Sequence, residues 1–128
     1  MAPDATTQTT PATTYPVVVG KVLVRLRRES TLEQAELARR VGVTQSTWSR
    51  IENGASSLSL EQLADAAASF GRSPGEVLRT ADELAANLER EGITVLRRRN
   101  PDPLGSGFAL VAGAVIVGVL VALVNKGR

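Results

Sequence analysis

Gln45, Ser46, Ser49 and Arg50 fall on one face of a short stretch, Gln45 to Glu52, whose opposite face carries Trp48 and Ile51. Amide, hydroxyl and guanidinium groups are the types that read base edges in a DNA major groove. A glutamine can bridge adenine N6 and N7, and an arginine can bridge guanine O6 and N7. For Arg50 a phosphate contact competes with the base contact. Thr47 and Asn53, on and just past the same stretch, fit phosphate contacts, while Trp48 belongs to the core rather than to a base stack. Other chemistries are poorly supplied. The chain has no histidine and no cysteine, which excludes thiolate nucleophiles, imidazole bases, disulfides and zinc sites with the usual ligands. Its acidic residues are scattered and no glycine-rich phosphate loop occurs. No catalysis, cofactor or metal is expected. The formal charge is only +2, so any DNA affinity must come from placed groups rather than bulk charge.

The elements that position these residues can be read from apolar spacing and caps. Gln34 to Val41 predicts a helix with Ala35, Leu37, Ala38 and Val41 on one apolar face. Gly42 follows where a helix end favours positive φ, Val43 returns to the core, and Thr44 can cap the next helix. Val17 to Glu29 carries Val18, Val22 and Leu26 at helical spacing. Ser59 is an N-cap for a helix with Leu60, Leu63, Ala64, Ala67 and Phe70, ending at Gly71. Ser73-Pro74-Gly75-Glu76 is a capping box opening a fifth helix with Val77, Leu78, Ala81, Leu84, Ala85 and Leu88, which stops at Gly92. The fold class predicted is all-α, a five-helix domain over residues 17–92.

Residues 22–78 resemble the Cro/CI-type helix-turn-helix domain of phage repressors and bacterial regulators. The resemblance is carried by Arg27, Leu32, Gln34, Leu37-Ala38, Val41-Gly42-Val43, Gln45-Ser46, Trp48 in place of the usual aliphatic, and Ile51-Glu52-Asn53-Gly54. Leu60, Leu63, Ala64, Ala67, Phe70-Gly71 and Val77-Leu78 fit the two closing helices. The resemblance implies base contacts from Gln45, Ser46 and Arg50, with Ser49 as a further candidate. It implies a phosphate contact from Gln34, which also buttresses Gln45, and a semi-buried ion pair between Arg27 and Glu52. Two departures are visible. Glu33 stands where the family often has a capping Ser, Thr or Asn, and Ala55 replaces a frequent Lys or Arg. Both should weaken the grip on the DNA backbone.

The flanks are of different character. Residues 1–16 form a Thr/Pro/Ala tract expected to be a disordered tail. It lacks the basic and apolar regions of a signal peptide. It also lacks the Arg or Lys of a minor-groove arm. Residues 93–103 read as a basic linker, and residues 104–124 as an uncharged apolar segment long enough for one transmembrane helix, with 125–128 a tail. Arg97, Arg98 and Arg99 beside that run suggest topology or contact with anionic lipid, with DNA phosphate as the other choice. The bland alternatives for 104–124 are a buried helix or strand in a soluble oligomer.

The sequence thus predicts a repressor-like, sequence-specific DNA-binding regulator, tethered on the cytoplasmic face of the cell membrane. Its partners would be double-stranded DNA, membrane lipid through residues 104–124, and a second copy in a homodimer or higher oligomer. Two surfaces could supply self-association: Val77, Ala81, Leu84 and Leu88 on the fifth helix, or the small-residue ladder Ala114, Gly118, Ala122. Alternatives are a membrane-anchored scaffold using the same fold for protein contacts, and a soluble cytoplasmic regulator that oligomerises through its apolar segment.

Overall fold

The computed structural model describes residues 10–99 and 108–126. Strand β1 (Thr10–Thr14) leads directly into α1 (Tyr15–Glu29), followed by α2 (Gln34–Val41), α3 (Gln45–Glu52), α4 (Leu60–Ser69) and α5 (Pro74–Arg90). Strands β2 (Thr94–Leu96) and β3 (Phe108–Leu110) then precede α6 (Gly113–Lys126).

The caps explain why the helices start and stop where they do. The Thr44 hydroxyl accepts the Thr47 N–H at 3.1 Å. Ser59 with Gln62, and Ser73 with Glu76, form reciprocal capping boxes. At Glu76 those Ser73 hydrogen bonds hold the carboxyl below the usual carboxylate range. Gly42 closes α2 with φ of +84°, a region that costs glycine little. Glu33 sits at the N-cap of α2 without a side-chain hydrogen bond. That end therefore lacks the capping contribution of about 1 kcal/mol that Ser, Thr or Asn would give.

The core draws on all of these helices, with Val18, Leu23, Leu37, Trp48, Leu84 and Leu88 fully buried at its centre. Two alanines predicted to be inside are exposed, Ala35 and Ala64. Both lie roughly 110° around their helices from the buried stripe, which in α4 runs through Leu63, Ala66 and Ala67. Leu60, in the first turn, is also off that stripe and 81% exposed. Val77, Ala81, Leu84 and Leu88 are all buried within the domain itself. They cannot also serve as a seam between copies.

The flanks depart most from expectation. Residues 10–14, expected within a disordered tail, form the central strand of a parallel sheet of order β2-β1-β3. Ala12 pairs with Thr94 and Thr14 with Leu96 on one side, and Thr10 pairs with Phe108 on the other. Ala12, Thr13 and Thr14 are buried, and the Thr14 hydroxyl caps α1. The tract is poor in aliphatics, but pairing on both edges satisfies its backbone, which composition cannot reveal. The first nine residues of the expected tail lie outside the described residues. Within the expected linker, residues 94–96 are a strand, so among the described residues the all-α class becomes six helices with a small sheet.

The apolar segment is not one helix. It holds β3 and then all but the last two residues of the fourteen-residue α6, which lies against α1 and α5. Among the described residues no helix is long and apolar enough to cross a membrane. Ile116 and Leu120 are fully buried against the domain, so part of the apolarity that resembled a span fills a core. Residues 104–107 lie outside the described residues.

Candidate nucleic-acid interface

Glu52, the last residue of α3, organises the candidate site. Its side chain is 3% exposed and faces Arg27, whose Nε donates to Oε2 at 2.7 Å and whose Nη2 donates to Oε1 at 3.2 Å. Arg27 Nη1 also donates to the Leu32 carbonyl at 3.0 Å, fastening the α1–α2 turn. Two further donors were not legible from spacing. Trp48 Nε1 donates to Glu52 Oε2 and Gln34 Nε2 donates to Glu52 Oε1, each at 2.7 Å. A buried carboxylate with four donors has its charge well compensated, and no buried side-chain polar atom is left without a partner among the described residues.

The network reaches the surface through Gln34. Gln45 Nε2 donates to Gln34 Oε1 at 3.5 Å, a long contact that orients the Gln45 amide while leaving its carbonyl oxygen open. Gln34 is half-buried, and its amide nitrogen has a second hydrogen free for another acceptor. The short α3 is held close to α1 because Gly20 lies directly against the backbone of Ile51 and Glu52, where any β-carbon would overlap the Glu52 carbonyl. Gly54, with φ of +73°, likewise seats the next turn on Val17.

Around α3, Gln45, Ser46 and Arg50 are exposed, Thr47 and Ser49 are half-buried, Asn53 is exposed, and Trp48 points into the core. The outward face therefore has two flanks. On one, Ser49, Asn53 and Gln34 line an open cleft with Lys21, Arg25 and Arg28 of α1 and an apolar rim of Val117 and Leu120 from α6. On the other, Arg50 donates through Nη2 to Thr47 Oγ1 and through Nε to Ser56 Oγ, both at 3.3 Å. The α1 cations were missed by the sequence reading, although Lys21, Arg25 and Arg28 recur at helical spacing and charge patterning could have found them. Arg25 is paired with Glu29 at 2.9 Å. On α2, Arg39 and then Arg40 hydrogen-bond Glu36 and hold its carboxyl down at about 2. Behind the site, the Tyr15 hydroxyl donates to Asp82 at 2.7 Å. Burial, and then that carboxylate, push the phenol well above its ordinary range.

Two short helices joined by Gly42-Val43-Thr44, the second polar outside and braced from behind, match the sequence profile of the helix-turn-helix domain family over residues 19–88. The chain belongs to that family. Two solved structures of the clp gene regulator ClgR from Corynebacterium glutamicum resemble this chain. One is 27% identical, with a TM-score of 0.52 over 56% of this chain and 92% of the solved one. A second is 26% identical, with a TM-score of 0.53 over 63% and 97%. No curated protein matches the sequence. The family match ends at Leu88. The sheet and α6 thus lie outside the helix-turn-helix module.

Proposed function

We propose that the protein is a sequence-specific DNA-binding transcriptional regulator of repressor-like type, acting without catalysis. The observation that carries this reading is the outward face of α3, with Gln45, Ser46, Ser49 and Arg50 exposed or half-buried and Gln45 braced through Gln34 on the buried Glu52. The similarity to a gene regulator supports it. In this reading α3 enters the major groove, with Gln45, Ser46, Ser49 and Arg50 at base edges and Gln34, Thr47 and Asn53 at phosphates. In this reading the domain would work in the cytoplasm, where a regulator of bacterial type meets its DNA.

Gln45→Ala is expected to cost about 1–3 kcal/mol at one base pair and to relax specificity there, because a bidentate contact is lost. Gln34→Ala is expected to weaken binding to every sequence, through the lost phosphate contact and the unbraced Gln45. Selection from random duplexes followed by titration of the two variants reads both effects. A selection that enriches no motif removes the operator-binding reading.

The scaffold alternative included a membrane span, and among the described residues no helix is long and apolar enough to be one. Oligomerisation through the apolar segment has better support. The exposed surface of α6 carries Ala114, Val115, Val117, Gly118, Val121 and Ala122 without a charge among them, with Val117 bordering the α1 cleft and Val115, Gly118 and Ala122 bordering α5. A second copy would cover this surface, and two reading helices one DNA turn apart would fit a two-fold operator. Sedimentation equilibrium is expected to give a dimer for the full chain and a monomer for Val117→Glu/Val121→Glu, whose exposed positions leave the core intact. A monomer in both defeats the α6 dimer, and a dimer in both moves the contact elsewhere.

A further inference from the structure

The turn that follows the reading helix carries no cation of its own: Asn53, Gly54, Ala55, Ser56 and Ser57 are all uncharged. The fold brings three cations to it from elsewhere in the chain. Because Thr14 pairs with Leu96 at the end of β2, the chain leaves the sheet at Arg97 level with the first turn of α1. That turn is where Gly54 rests on Val17. Arg97, Arg98 and Arg99 are exposed there and line a shallow groove with Gly54, Ala55 and Ser57. Arg99 Nη1 donates to the Ala55 carbonyl oxygen at 2.6 Å, which fixes this end of the run on the turn.

An α-helix with its side chains is about 10–12 Å across and the major groove about 12 Å wide, so a reading helix fills the groove. Whatever flanks such a helix meets the phosphodiester walls. The Arg50–Ser56 contact makes the 54–57 turn one of those flanks, opposite the cleft where Lys21 and Arg28 stand. We propose that Arg97, Arg98 and Arg99 are a phosphate-binding rail for that second wall, so that the extension beyond the family module forms part of the DNA interface. This rests on the DNA-binding reading above. Guanidinium groups suit it because their fork matches phosphate oxygens in pairs.

The test is a salt titration of the full chain on a pool of random-sequence duplexes, since the rail reads backbone and not bases. Each lost phosphate contact lowers the steepness of log Kd against log salt by about 0.9. Arg97→Ala/Arg98→Ala/Arg99→Ala is expected to reduce that steepness by about 2–3 and to weaken binding at least tenfold at low salt. The motif enriched by selection should stay the same. The matching triple lysine variant is expected to keep most of the steepness, which separates charge from any loosening of the turn. An unchanged steepness in the alanine variant overturns the rail. So does an unchanged steepness combined with lost partitioning onto anionic phospholipid vesicles, which assigns the cluster to lipid. A wild-type chain that binds no duplex overturns the rail and the DNA-binding reading together, whereas an unchanged slope overturns the rail alone.

Discussion

Replacing Glu52 with alanine is expected to lower the stability of the folded chain by about 3–5 kcal/mol, the range for breaking one side of a buried ion pair. The carboxylate accepts from Arg27 twice, from Gln34 and from Trp48. Its loss strands a guanidinium only 12% exposed and an indole N–H with no exposure to water. A domain of this size has about 5–15 kcal/mol in total, so the variant should lie near the edge of folding. Glu52→Gln keeps one acceptor oxygen, enough for two of the four donors, but turns an amide N–H group on the other two and loses the charge, so it should fall between the wild type and Glu52→Ala. Urea titration is the measurement, with a lower midpoint and an unchanged slope as the expected pattern. A loss below about 1 kcal/mol in Glu52→Ala is incompatible with Glu52 as the hub. Because the same carboxylate braces Gln34 and through it Gln45, Glu52→Gln should also loosen base discrimination at temperatures where it remains folded.

Leu120→Ala in α6 is expected to cost the monomer about 2–5 kcal/mol, whereas Val117→Arg, three residues earlier, should stay within about 0.5 kcal/mol when both are compared at concentrations where the chain is monomeric. Leu120 is 1% exposed against α1 and α5, while Val117 is 43% exposed. The contrast separates the folded arrangement from a span. In a bilayer Val117→Arg would cost roughly 2.5–3.5 kcal/mol of insertion free energy, and Leu120→Ala comparatively little. Thermal unfolding of the two variants decides between these patterns. Truncation after Asn100 should therefore destabilise the domain. Ile116 and Leu120 alone contribute about 1.5–3 kcal/mol each by burial, and β1 would lose β3 as a partner.

The helices from residue 15 to residue 90 were legible because their signals are local. Thr44, Ser59 and Ser73 cap, Gly42 and Gly71 stop, and apolar residues recur every three or four positions. The outward face of α3 was legible for the same reason, as the remainder once Trp48 and Ile51 go inside. What was not legible is non-local. The Thr10–Thr14 strand has no apolar run of its own and exists because residues 94–96 and 108–110 pair with it. Hydropathy registered the apolar content of residues 104–124 but not that Ile116 and Leu120 had a protein surface to cover. The Gln34 and Trp48 contacts to Glu52 depend on how α2 and α3 cross. Likewise, the position of Arg99 beside Ala55 follows from sheet register, which no spacing rule reaches.

The parallel sheet also bears on the order in which the molecule matures. Its central strand is the first described element, yet both neighbours come after the five helices of the domain. Closing so large a loop is entropically costly, while helical turns and their short connections form from neighbouring residues. The helical module should therefore assemble first and the sheet zip up last. Until it does, the arginines after β2 have no fixed place beside the reading helix. On the proposed reading, a nascent or partly folded chain would then present the α3 face before it gained the arginine rail, and tight binding would mark the completed fold.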